Sequence, residues 1–294
     1  MSEGPPLAAS TKAKDELFGP LDPNLYEISD ADAPFFRAAI SPDDDVIRQR
    51  VLDVQKRAFE QYPYPCIKRF TFVSLRIKKL PVYKEVLERG KRSGAIFLDL
   101  GCCMGSEVRN LVFQGYPASQ VVGVDLRETY ISLGHKLFQD KETCKIKFLV
   151  ADIFDLPSTL STSRVSNLES VSQLDDLAGS VTFIHAASLF HLFDAPKQKE
   201  LAIRLLRLWT REPNAIIFGR HQGLSPEGCL SKDVPGWEAH GHSPESWEAM
   251  WKEVVEEVEG EGASDKIVVT AVLRQHYLTS TLGSKSLIWS VRRF

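Results

Sequence analysis

Apolar and polar positions follow two different rhythms along the chain. Residues 1 to about 45 are rich in Pro, Ala, Ser and Asp and have no steady period, which predicts a loosely ordered arm able to become a lid. In "DDDVIRQRVLDVQKRAFE", Val46, Ile47, Val51, Val54 and Phe59 recur near helical spacing behind a run of acids, predicting a helix over 43–60. "QYPYPCIKRF" follows, where Pro63 and Pro65 forbid a continuing helix and set Tyr62 and Tyr64 on an extended turn. A second helix is predicted over 73–88. From residue 95 the rhythm changes to short β-rich apolar runs at 95–101, 121–126, 145–154, 180–190 and 214–223, and the longer segments between them carry helical periodicity. Strands alternating with helices predict an α/β fold, a parallel sheet covered on both faces. The tail predicts a helix over 243–260, then strands at 265–278 and 286–294 forming an antiparallel hairpin at the sheet edge, for about seven strands in all. The serine-rich stretch 158–173 reads as a surface loop. The expected organisation is an N-terminal arm and helical lid over 1–90 and a second domain over 91–294.

Charge narrows the partners. With 36 basic and 39 acidic residues in 294 and a net charge of −3, nothing pulls the chain toward nucleic acid or anionic lipid, so the expected partner is a small molecule. No window approaches the roughly 18 to 20 unbroken apolar residues of a membrane span, and the opening lacks a signal-peptide core, so the expected location is cytoplasmic. The five cysteines are scattered without a C-x-x-C pair, which predicts free thiols and no metal centre.

The chemistry concentrates where the first predicted strand ends, at "LDLGCCMGSE". A dinucleotide fingerprint needs G-x-G-x-x-G, and here Cys102, Cys103 and Met104 separate Gly101 from Gly105; no Gly-Lys-Ser/Thr follows, which excludes a P-loop. "LDLGCCMG", "VVGVDL" and "VADIFDLP" together resemble the motifs of class I S-adenosylmethionine (SAM)-dependent methyltransferases, with Asp99, Gly101 and Gly105 matching the cofactor loop. That family usually has glycine or alanine where Cys103 stands. The resemblance implies a Rossmann-like seven-stranded sheet and SAM as cofactor. SAM carries no phosphate, so its site needs acids and close backbone rather than an anion nest. Asp125, with Leu126 beside it, would take the ribose hydroxyls, and Asp152 the adenine amino group with Ile153 alongside. Asp99 would organise the loop and the cofactor's ammonium. One aspartate after a strand is ordinarily a turn residue; three in register with a glycine loop are specific. Cys102 and Cys103 read as small buried space-fillers.

In the same class the end of the fourth strand borders the transferable methyl, which implies that His185 faces the cofactor and that His191 steers or deprotonates an acceptor. The plainer reading of each is a hydrogen-bonded core or surface histidine. Trp247 and Trp251 are four apart and read as helix core behind a cap at Ser243. Phe190, His191, His221, Trp237 and His242, with Tyr62 and Tyr64, would wall an apolar pocket for a hydrophobic aromatic or terpenoid molecule. "QYPYPCIKRFTF", "HAASLFHLF", "GRHQG" and "HSPESW" resemble the O-methyltransferases of fungal dimethylorsellinate-derived meroterpenoid pathways, over roughly residues 45 to 294. This implies methylation of the carboxyl group of a farnesylated dimethylorsellinic acid, and allows a homodimer. A carboxylic acid of pKa about 4 is already ionised at neutral pH, whereas a phenol of pKa about 10 would need His191 or His221 as a base. A dehydrogenase with an aberrant loop and a catalytically silent SAM-binding regulator are the other readings.

Overall fold

A computed structural model describes residues 19–157, 164–165, 167–230, 238–275 and 285–294. Asp43 opens the long helix α2 (Asp44–Gln61), its carboxylate accepting the Asp45 N–H at 2.9 Å, and the prolines at 63 and 65 end it. Ahead of it lies α1 (Ala33–Ala39), and after it one turn of helix, α3 (Pro65–Lys68). The described part of the expected loose arm is therefore ordered: Phe35 and Phe36 on α1 are buried against α2 and against Phe138. Two aromatic side chains give this short segment enough apolar area to fold, despite its irregular period. Residues 1–18 lie outside the described residues.

The helix predicted over 73–88 is also different. Two 3-10 turns, Thr71–Val73 and Ile77–Lys79, precede α4 (Tyr83–Ser93). Pro81 disfavours helix at the residue before it, so the continuous helix starts only beyond it.

The alternating part follows the predicted order. It runs β1 (Phe97–Leu100), α5 (Ser106–Phe113), β2 (Val121–Asp125), α6 (Glu128–Phe138), β3 (Lys147–Val150), β4 (Phe183–His185), α7 (Ala195–Leu208) and β5 (Ile216–Gly223). A two-stranded ribbon, β6 (Gly228–Cys229) with β7 (His240–Gly241), then leads to α8 (Pro244–Glu259), β8 (Ile267–Arg274) and β9 (Lys285–Arg293). Among the described residues the main sheet has seven strands in the order β3-β2-β1-β4-β5-β9-β8. Strands β1 to β5 are parallel; β9 is antiparallel to both β5 and β8. The predicted hairpin exists, but β8 is its edge strand and β9 is inserted between β8 and β5. Leu287, Trp289 and Val291 are all buried, as a strand with two neighbours requires.

Helices α4 and α5 cover one face of the sheet, packing Val86, Leu87, Val108 and Leu111 on Phe97, Phe183, Ile216 and Phe218. Helices α7 and α8 cover the other, with Trp247 and Trp251 among the residues packed there. Leu168, Val171, Leu174 and Leu177 join that second core, so the described end of the serine-rich stretch is anchored rather than a free surface loop; residues 158–163 and 166 are outside the described residues. Among the described residues no helix is long and apolar enough to cross a membrane.

Candidate active site

Parallel strands leave their carboxyl ends on one rim, where an open α/β sheet binds ligands. At that rim the Gly101 and Cys102 N–H groups both donate to the Val124 carbonyl, at 2.8 and 2.9 Å, tying the loop after β1 to β2. Gly101 has φ +79°, and a Cβ built there would meet nothing within 4 Å: open space faces the backbone. Cys103 is also left-handed, at φ +52°, and its N–H donates to Asp125 Oδ2 at 2.8 Å. The Arg127 N–H donates to Asp125 Oδ1 at 2.9 Å. Each oxygen thus keeps a lone pair for a further donor. Burial pushes the Asp125 carboxyl up to about 6. Leu126 beside it is exposed. Gly105, at φ +69°, closes the loop by donating to the Cys102 carbonyl at 2.8 Å and leads into α5. Asp152 accepts the Phe154 N–H at 3.0 Å, while the Ile153 side chain turns into the core.

Burial raises both the Cys102 and the Cys103 thiols well above the ordinary range, so neither is a nucleophile. Cys102 is packed against the close approach at Gly123, 3.1 Å from where a Cβ would stand. The pair are space-fillers in a cofactor-type turn.

Sheet register brings the next groups together. Asp99 is the partner of Gly123 and of His185, and His185 is the partner of Phe218, so Asp99 and His185 project on one face. They bond through His185 Nδ1 and Asp99 Oδ1 at 2.7 Å, both buried, and His185 Nε2 is buried without a partner among the described residues. The ring lies 5.2 Å from that of Phe218.

Glu107 belongs to this site and was not expected. Its Oε1 accepts the Arg76 and Ile77 N–H groups at 2.6 and 3.0 Å, joining α5 to the N-terminal segment. Its Oε2 is buried and unpartnered among the described residues, and burial pushes the carboxyl up to about 7. In the sequence it looks like an ordinary acid in a first helical turn; the signal available was its position directly behind the glycine loop.

The residues expected to form one acceptor wall are divided. His221 is the register partner of Leu287, on the face opposite Asp99 and His185. Its Nδ1 accepts the Trp289 Nε1–H at 2.9 Å, and its ring lies 4.6 Å from Trp247 and 5.7 Å from Phe190. Phe190 is fully enclosed in this aromatic cluster. Burial first, then His191 and His242, lowers His221 well below the usual histidine range. His191 stacks nearly parallel to it, with ring centres 6.4 Å apart. His242 bonds Ser246 Oγ at 2.9 Å and is pushed down to about 4, chiefly by burial. Its ligand atoms, with those of His240 and Glu227, lie within 4.8 Å of one another, and His240 Nε2 sits 3.2 Å from Glu227. Tyr62 and Tyr64 stand at the other end, near Asp125. Their rings are 6.2 and 6.3 Å from that of Tyr130, and the Arg127 guanidinium is 3.9 Å above Tyr62. Trp237 lies outside the described residues.

These groups fit SAM: open space faces Gly101, the Asp125 carboxylate keeps lone pairs that a hydroxyl could use, and His185 Nε2 and Glu107 Oε2 are buried without a partner among the described residues.

Comparison with known proteins agrees. Residues 21–73 match the meroterpenoid methyltransferase N-terminal domain and residues 91–207 a methyltransferase domain. The O-methyltransferase phiE of a fungal species is 31% identical over 94% of this chain and 83% of its own. The Asnovolin E/Chermesin D methyltransferase nvfJ of Aspergillus novofumigatus is 33% identical over 71% of this chain and 70% of its own. A solved SAM-dependent methyltransferase from Mesorhizobium loti superposes with a TM-score of 0.46 at 14% identity, covering 74% of this chain and all, 100%, of that one. By its glycine loop, its rim of acids and its relatives, the chain belongs to the fungal meroterpenoid methyltransferases and is a SAM-dependent enzyme.

Proposed function

We propose that this enzyme methylates the carboxyl group of a farnesylated dimethylorsellinic acid-type intermediate, giving its methyl ester in a meroterpenoid pathway. The names of its relatives support O-methyl transfer and meroterpenoid substrates. SAM, when bound, supplies an electrophilic methyl group on a sulfonium. Gly101 admits close backbone approach, Asp125 and Asp152 orient hydroxyl and amino donors, and the buried Asp99 and His185 keep water from the rim.

What supports the carboxyl reading is that His221, one of the two histidines a phenol would need as a base, is bonded on the face away from Asp99 and His185. Because the His221 Nδ1 lone pair is used by Trp289, the neutral ring holds its proton on Nε2 and cannot act as a base without losing that bond. His242 is likewise held neutral and bonded. A carboxylate acceptor needs neither. A phenol acceptor is the second reading, favoured by the Asp99–His185 pair: with Nδ1–H donated to Asp99, the Nε2 lone pair is free to take a proton. The same overall reading places the enzyme in the cytoplasm and allows a homodimer, which sedimentation checks.

Incubation with methyl-labelled SAM and farnesylated aromatic acids, their methyl esters and their phenol ethers decides between the readings. Label on the carboxyl of free acids and phenol ethers, and none on the esters, is the expected result. Label on the phenol of the esters makes His185 the base instead. SAM binding with no labelled product would reduce the chain to a silent SAM-binding protein.

A further inference from the structure

Two arginines stand at the His185 end of the rim, and among the described residues neither is ion-paired with a carboxylate. Arg220 lies on β5 two residues past Phe218, so strand alternation puts its side chain on the face that Phe218 shares with His185. Its carbonyl accepts the Ser188 N–H at 2.7 Å, holding this part of β5 against the loop that leaves β4. Arg76 comes from the segment tied down by Glu107, and its guanidinium makes one long hydrogen bond, 3.4 Å to Ser74 Oγ. Both side chains are partly buried, and among the described residues neither forms an ion pair. The more deeply buried Arg109, Arg207 and Arg293 pair with Asp140, Asp175 and Glu259. Burial, and then the charge of Arg76, pushes Arg220 down to about 10, and the nearby Glu107 only partly offsets them, so the cation is desolvated without a full counter-charge. Glu107 does not fill that place, since one oxygen is committed to two N–H groups and burial favours its neutral form.

Position along the rim says which anion fits. The strand order β2-β1-β4-β5 sets Asp125, Asp99, His185 and Arg220 in sequence across the sheet. At about 4.8 Å per strand, Arg220 is roughly 10 Å beyond Asp99 and 14 Å beyond the ribose end at Asp125. It therefore stands on the acceptor side of His185, away from the glycine loop.

We propose that Arg220, with Arg76 beside it, seats the carboxylate of the acceptor. The inference rests on the carboxyl reading above. Guanidinium N–H groups hold one carboxylate oxygen and leave the other toward the methyl donor. Methyl transfer then forms the O–CH3 bond and breaks the S–CH3 bond; carboxylate and sulfonium both become neutral, and no proton is released. The neutral ester no longer answers the two arginines, which favours its departure.

The test titrates the enzyme, saturated with S-adenosylhomocysteine, with farnesylated dimethylorsellinic acid and with its primary amide. Wild type is expected to prefer the acid by about tenfold or more. Arg220→Met loses about that factor for the acid, with amide and S-adenosylhomocysteine affinities within about twofold, and Arg220→Lys recovers part of it. If Arg220→Met fails to fold, Arg220→Gln carries the same comparison. Unchanged acid affinity, or equal weakening of acid and amide, overturns the proposal. So does weakening of S-adenosylhomocysteine alone, which would make the seated carboxylate that of the cofactor. An acid preference that survives Arg220→Met removes only the arginine seat; a wild type that, in the methyl-labelled SAM assay, labels phenols and ignores the acid removes the carboxyl reading with it.

Discussion

Glu107 shows how much of the site escapes a reading by residue type. Asp99, Asp125 and Asp152 could be picked out as candidates because each stands at or near the end of an apolar run in step with a glycine loop. Glu107 and Arg220 could not, because their meaning lies in what surrounds them: one meets the N–H groups of residues some 30 positions earlier, the other faces a rim assembled from four strands. His221 looked like an acceptor-wall residue for the opposite reason, since the sequence does not reveal which face of β5 a side chain takes until the register is fixed. The raised carboxyl of Glu107 has a sign that can be measured. Its folded value, about 7, stands above the ordinary 4.5, so the folded protein binds the proton that the unfolded chain releases. Stability is then greatest at low pH within this window and is lost as pH rises from 4.5 through 7. Urea unfolding of wild type is expected to lose on the order of 2 kcal/mol across it, relative to Glu107→Gln. Parallel pH profiles for the two proteins would count against the assignment.

At the scale of elements, the alternation of apolar runs with helical stretches gave the order of β1 to β5 directly, because a strand buried on both faces must be apolar throughout. Helix limits were legible where a cap or a proline sets them, as at Asp43 and Ser243. They were misread at 73–88, where Pro81 interrupts a helical spacing. The placement of α6 against the cofactor loop could not be read from composition. A Cβ at Gly134 would stand 2.3 Å from the Met104 carbonyl oxygen, so glycine there lets a helix touch the backbone of the loop. Gly134→Ala must push α6 and the loop apart. It is expected to cost about 1–3 kcal/mol in thermal or urea unfolding and to weaken SAM binding in calorimetry. Wild-type values for both would show that the loop has room to give.

Across the whole molecule, the N-terminal helices share a core with the cofactor half: Phe35, Ile47, Val51 and Phe70 pack with Met104, Tyr130 and Leu137. At the far end of the sheet, Arg293 on β9 pairs with Glu259 through Nη1 and Oε2 at 2.8 Å, both nearly enclosed, and its guanidinium lies 4.1 Å over Trp209. Arg293→Ala leaves a buried carboxylate uncompensated and is expected to cost about 3–5 kcal/mol, read by urea unfolding; Arg293→Ala with Glu259→Gln should recover part of it. The placement of β9 has a consequence for how the protein is made. Ribosomes deliver β5 and β8 before β9, yet neither can pair with the other, because the strand between them has not yet emerged. Until β9 is made, the outer edge of β5 has no partner and β8 has no neighbour in the sheet, so pairing at this end of the molecule waits for β9 and an unpaired edge stays open until then.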